Sequence, residues 1–125
     1  DPADPIAQGV LAFVLSASGD TTDAARAREL LATAEPGAAA DGTFTYWIAK
    51  VHALLGESSA ALDWIRKAVD LGYWDAPWMR RDRAIATLHD LPAFVALAEE
   101  IEARQRAFRA FVRKESPAGL YLPLD

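Results

Sequence analysis

The sequence predicts an all-α fold, and three observations carry that prediction. Alanine fills 27 of 125 positions, and it is the strongest helix former and allows helices to approach closely. Gly19, Gly56 and Gly72 each follow an apolar run of helical spacing, the position where a chain leaves a helix through the left-handed conformation. No run alternates apolar and polar residues over six positions with β-branched enrichment, so the strand signal is poor. Val10–Leu15 has the composition of a short buried strand, but Ile6, Ala7 and Ala17 extend it at helical spacing, which favours helix.

The elements follow from these signals in order. Pro5 sits in a first helical turn, and the first helix is expected over 5–18. The second is expected over 22–35, capped by Asp20 or Thr22 and stopped by Pro36-Gly37. After a loop of small residues, the third runs over 44–55 with Thr43 as its cap, and the fourth over 59–71 after Gly56-Glu57-Ser58. Beyond Gly72 the pattern changes to Tyr73-Trp74-Asp75-Ala76-Pro77-Trp78, an aromatic stretch broken by proline. Short helices are expected near 77–82 and 84–89. Asp90-Leu91-Pro92 then opens the longest helix, over 92–114. Its apolar residues Phe94, Leu97, Ala98, Ile101, Phe108, Phe111 and Val112 recur at three and four, an amphipathic pattern. Glu100 and Glu102 stand four residues before Arg104 and Arg106, the better orientation for helical pairs. Residues 115–125, with two prolines and a glycine, read as a surface tail.

Composition bounds the function. At 125 residues the chain is one domain's worth. With 52 % hydrophobic and 25 % charged residues it is expected to fold as a soluble protein. A net charge of −5 argues against nucleic acid as the main partner, because phosphate contacts need a basic face. The longest apolar run, Val10–Leu15, is far short of a membrane span, so no membrane partner is expected. With no cysteine there is no disulfide framework, thiolate metal site or cysteine nucleophile, and cysteine usage leaves the compartment open. The cytoplasm is the expected location. The opening Asp-Pro-Ala-Asp-Pro lacks the basic start of a signal peptide, and the chain, which does not begin with Met, reads as an excised or processed piece.

The chemistry of catalysis is hard to find. His52 and His89 lie in different predicted helices, without a second histidine or carboxylate at the spacing of a helical metal site. There is no nucleophile elbow and no phosphate-binding glycine loop, and the carboxylates are scattered. No enzyme activity, metal or cofactor is expected, and His52 reads as a packing histidine. Charge is uneven: residues 1–42 carry seven acids and two bases, net −5, and residues 80–114 carry eight bases and five acids, net +3. That polarity suits head-to-tail contact between copies or an oriented partner, or is simple surface variation.

The two helix pairs are alike. Gly19 and Gly56 stand 37 residues apart, and each closes the first helix of a pair. In the second pair Ala49, Ala61, Ile65 and Ala68 are small, small, bulky and small where two packed helices cross, with His52 in place of a late aromatic. In the first pair Ala12, Ala24 and Pro36 occupy matching positions, with Leu15 at the aromatic one and Arg28 where a bulky apolar residue is usual. This arrangement resembles the tetratricopeptide repeat, a 34-residue helix–turn–helix unit. The stretch from Leu71-Gly72-Tyr73 to Leu91-Pro92-Ala93-Phe94 resembles the degenerate end of such arrays in bacterial proteins. The resemblance implies one domain built as a right-handed superhelix of antiparallel pairs: repeat one over 5–36, repeat two over 43–72, then short helices and a capping helix over 73–114.

The implied function is a protein–protein interaction scaffold, part of a larger bacterial protein, whose partner is another protein or a peptide. The implied groove is lined by Gly9, Phe13 and Ser16 from the first pair, and by Thr43, Tyr46, Lys50 and Ala53 from the second. Chaperone-binding members of the family hold a terminal carboxylate there with Lys, Arg and Asn; here Lys50 is the one cation in the set, and the chain has no asparagine. Trp74, Trp78, Arg80 and Arg81 form a second candidate partner surface, where guanidinium groups and rings suit an acidic peptide; the favoured reading is that the aromatics cap the core and that Arg80, Arg81 and Arg83 face water. Trp74 or Trp78 is expected to pack on the long helix near Phe94 or Leu97. A third is the first helix, apolar most of the way round, which is expected to form either a junction with upstream repeats outside this sequence or a self-contact through Ile6, Val10, Phe13 and Val14, most simply a two-fold homodimer. The rival functions are a sensor that holds a short peptide or small molecule in a tryptophan-lined groove, and an enzyme organised around His52.

Overall fold

The computed structural model describes residue 1, residues 3–38 and residues 40–116. The expected tail lies outside the described residues from position 117 onward. Among the described residues there are helices and no strand: α1 (Pro5–Ser16), α2 (Thr21–Ala34), a 3-10 turn (Glu35–Ala38), α3 (Gly42–Leu54), α4 (Ser58–Asp70), the single turn α5 (Ala76–Met79), a 3-10 segment (Arg83–Leu88) and α6 (Pro92–Glu115).

Aspartates start the helices. Asp4, Asp20 and Asp41 each accept a hydrogen bond from a first-turn backbone N–H of α1, α2 and α3. Asp41 therefore caps α3 where Thr43 was expected. Its carboxylate reaches two donors, Thr43 N at 2.8 Å and Phe44 N at 3.1 Å, which makes it the stronger cap. Gly19, Gly56 and Gly72 all have positive φ, so the turns fall where the glycines placed them. The stretch expected as two short helices is less regular: one helical turn, then a 3-10 segment in which Ile85 leaves helical φ/ψ. Proline and clustered aromatics there favour side-chain packing over continuous backbone pairing.

α3 is the centre of the fold. It packs on α4, on α1 and on the 3-10 segment at 83–88. Ala49, Ala61 and Ala68 are fully buried where α3 and α4 cross, beside Ile65 and Val69. Gly9 lets α1 approach α3: a Cβ there would lie 2.7 Å from the ring of Phe44. The first pair departs from the second. α2 buries Ala27, Leu30, Leu31 and Ala34, whereas Ala24 is half-buried and Arg28 is exposed. Relative to α4, the buried face of α2 is turned by roughly a quarter of the helix circumference. Arg28 instead reaches Glu57 at 3.3 Å.

α6 seats its first half on the body through Phe94, Leu97, Ala98 and Ile101. Arg66 of α4 meets Glu100 at 2.6 Å; its hydrogen bond, reinforced by Arg104, holds that carboxyl below the usual range. Arg104 makes the expected pair with Glu100, but Glu102 pairs with Arg80 of the aromatic segment rather than with Arg106.

Candidate functional site

Lys50 is the most unusual side chain in the molecule. It sits in the middle of α3, faces the 3-10 segment, and its side chain is 10 % exposed. Its ammonium lies 3.1 Å from Oδ2 of Asp82, which is itself buried. Four rings surround it: Trp47 at 5.0 Å, Tyr46 at 5.3 Å, Phe13 at 5.5 Å and Trp78 at 5.8 Å from Nζ to centroid. Each is within the reach of a cation–π interaction. Helical spacing explains part of this: Tyr46 and Trp47 lie four and three residues before Lys50 and share its face, α1 contributes Phe13, and the aromatic segment contributes Trp78.

Asp82 organises the box. Oδ2 accepts from the Tyr46 hydroxyl at 2.7 Å as well as from Lys50, and Oδ1 accepts from Ala84 N at 3.0 Å. One carboxylate thus caps the 3-10 segment and satisfies two buried donors on α3. Burial, and then the hydrogen bond to Asp82, raises the pKa of Tyr46 well above that of ordinary phenols. Tyr73 stacks on Tyr46 with centroids 4.5 Å apart. Its pKa is pushed up to about 12, first by burial and then by the charges of Asp75 and Asp82. Chemically the box stabilises an ammonium in a dry, aromatic, singly acidic surrounding, and the ammonium it holds is the chain's own.

The residues expected at partner surfaces therefore divide. Phe13, Tyr46, Lys50 and Trp78 converge on the box. Tyr46 and Lys50 are buried, and the carboxylate that Lys50 receives comes from Asp82 of the same chain. Trp74, Arg80 and Arg81 stand apart from it. The Trp74 indole donates to Val69 O at 3.0 Å, and its carbonyl accepts from Gln105 of α6 at 2.7 Å. Its ring packs on the cluster that holds Phe94 and Leu97. Arg80 pairs with Glu102, and Arg81 donates to Pro77 O. Both arginines are exposed.

His52 joins two turns. Nε2 lies 2.8 Å from Glu35 at the end of α2, and Nδ1 lies 2.9 Å from Glu57 in the turn before α4. Trp64 stacks alongside at 6.3 Å. Two carboxylates on opposite ring nitrogens orient an imidazole and tie turns together. Among the described residues no group of three or more His, Asp or Glu is placed to hold a metal ion, and no helix is long and apolar enough to cross a membrane.

The open surface lies on α1. Ile6 is 59 % exposed, Val10 43 %, Leu11 46 % and Val14 58 %. With Ala7 these are all the exposed residues between Ile6 and Leu15, so the outward face of the helix carries no polar side chain. Beside it a cleft of about 280 Å3 is lined by Ile6, Val10, Phe44 and Trp47, with Asp41 and Thr43 at its edge. Phe13, expected with this group, turns into the box instead, edge-on to Trp47 at 4.9 Å. Asp82 is the functional-looking residue that sequence reasoning missed: flanked by Arg81 and Arg83 it passes as part of a solvated basic run, and its partners are 32 and 36 positions upstream. Comparison with family models, with curated proteins and with solved structures finds no match to this chain.

Proposed function

We propose that this chain is a protein–protein interaction module of tetratricopeptide type, not an enzyme, and that its working surface is the outward face of α1. The observation that carries the reading is the unbroken apolar face of Ile6, Ala7, Val10, Leu11 and Val14, open along the whole helix and continuous with the cleft over Phe44 and Trp47. Isolated exposed apolar side chains are ordinary; a contiguous face without a polar member marks a surface that another protein covers. The residues recur at four and three, the spacing that a partner helix fills. The groove side that the family resemblance singles out holds Asp82 against Lys50 and is occupied by the chain itself.

The test places a photo-crosslinking residue at Val14 in the protein made in its native cells, with the same residue at exposed Asp63 of α4 as the reference. A discrete protein adduct from position 14, absent from position 63, supports the reading. Irradiation that gives no protein adduct at position 14 above the reference refutes it.

A further inference from the structure

α6 outruns the body on which it is built. Its buried residues end at Ile101, yet the stripe that seats it continues: Phe108 is seven positions after Ile101 and Val112 is four more, the same face of the helix. Phe111 widens the stripe. Among the described residues nothing buries Phe108 and Phe111, which are 55 % and 59 % exposed. At its root a cleft of about 290 Å3 is lined by Trp74, Gln105, Phe108 and Arg109. The distal segment is also strongly charged: residues 104–114 contain five bases and no acid.

The face of α1 is the counterpart in three respects. It is apolar without interruption. Its sequence surroundings are acidic, with four acids and no base among residues 1–25. It is also twelve residues long, as is the stretch from Arg104 to Glu115, and both therefore span ~18 Å. The two cannot readily meet within one chain, because α1 packs against α2 and α3 while α6 packs against α4 and α5.

We infer that the partner of α1 is a second copy of this chain, whose distal α6, carrying Phe108 and Phe111, lies along Ile6, Val10 and Val14 with its basic residues near the acids that flank α1, Asp1 and Asp4 before it and Asp20 and Asp23 after it. This rests on the reading of α1 as the interaction surface and names what covers it. Opposite charge sets the orientation and apolar burial supplies the hold. If each chain gives one α6 and receives one, the assembly closes at two copies; if only one contact forms per pair, it grows head to tail.

Sedimentation of the full chain tests this with two variants, Val10→Asp/Val14→Asp and Phe108→Asp/Phe111→Asp. All four positions are exposed, and unchanged far-ultraviolet dichroism verifies the fold of each variant. The wild-type chain is expected to associate at about 100 μM, and each variant alone to have its association weakened at least tenfold. An equimolar mixture of the two is expected to associate again, because it contains one intact α1 and one intact α6. Arg106→Glu/Lys114→Glu, which touches no buried group, is expected to weaken association at low salt. A wild-type chain monomeric at about 100 μM overturns the self-contact, and a photo-adduct to a different protein would then leave the interaction reading standing. A phenylalanine variant that associates as strongly as wild type, or a mixture that stays monomeric while wild type does not, also overturns it.

Discussion

Replacing Asp82 with alanine strands the buried ammonium of Lys50 and is expected to be among the costliest single substitutions in the chain. At 3.1 Å and an effective dielectric of about 20, the lost attraction is ~5 kcal/mol. Measured losses on removing one partner of a buried pair are about 3–5 kcal/mol. The Tyr46 hydroxyl loses its acceptor too, a cost of ~1–3 kcal/mol when the group stays dry. These contributions overlap, and partial hydration of the opened site offsets some of them. We expect a net loss of about 4 kcal/mol, a large share of the ~5–15 kcal/mol that holds a domain together. The four rings around the ammonium already attract it in the wild-type chain, so losing Asp82 gains nothing from them that would replace the carboxylate. The companion is Lys50→Met/Asp82→Asn, which removes both charges and keeps the cap on Ala84; it is expected within about 1–2 kcal/mol of wild type. Urea unfolding followed by tryptophan fluorescence measures both, with an unchanged slope as the sign that the native state is preserved. If Asp82→Ala costs under about 1 kcal/mol, as for an exposed pair, or if the double variant is as unstable as the sum of its singles, the buried-pair reasoning is wrong.

Ala61→Leu forces the bulk of an isopropyl group into the α3–α4 crossing, where Ala61 is 0 % exposed, and should lower stability by about 1–3 kcal/mol, seen as a drop in Tm. Gly56→Ala meets no neighbouring atom, but φ is +78°, so the backbone alone should cost ~1–2 kcal/mol in the same assay. Tyr46 and Tyr73 keep their protons to higher pH folded than unfolded. Their contribution to stability is therefore complete below pH 10, the ordinary phenol value, and falls as pH rises from 10 through the folded values. Tyrosinate absorbance on alkaline titration should show these two residues ionising together with loss of helical dichroism; free ionisation of both near pH 10 in a still folded chain would contradict their burial.

Local signals made the helical layout legible. Three glycines, an early proline and Asp20 mark helix ends by rules that act within one turn, and the limits of the five long helices lie within a residue or two of those expected; the caps Asp4 and Asp41 were not expected, and α5 ends three residues early. The α3–α4 crossing was legible through the repeat resemblance, which implied small residues at 49, 61 and 68, and all three alanines are buried there. The rotation of α2 was not. Arg28 stood where a bulky apolar residue was expected, and the structure resolves the conflict by turning that face to solvent and burying Ala27 and Leu30 instead. Alanine and leucine on both sides of α2 left two possible buried stripes, and tertiary packing against α1 selected between them. The Lys50 box was half legible: spacing on α3 placed Tyr46 beside Lys50, but nothing local announces that an aspartate 32 residues later will reach them.

The position of Asp82 also bears on what the groove side of the molecule can bind. A peptide carboxylate arriving at Lys50 competes with one already attached to the same chain, and an attached group acts at an effective concentration in the millimolar range or above. Displacing it has two further costs. The Tyr46 hydroxyl and the Ala84 N–H lose their acceptor, and the displaced carboxylate must take with it the 3-10 segment that buries Ile85 and Leu88. Each unmade bond to a buried donor costs ~1–3 kcal/mol, and burying a residue such as Leu88 is worth ~1.5–3 kcal/mol. A ligand at Lys50 therefore starts several kcal/mol behind, the equivalent of two or more orders of magnitude in Kd. The face of α1 carries no such handicap: among the described residues nothing buries Ile6, Val10, Leu11 or Val14, and covering apolar side chains breaks no hydrogen bond. Binding energy is most available where the fold has left surface open, and in this chain that places it on α1 and the far end of α6 rather than in the aromatic box.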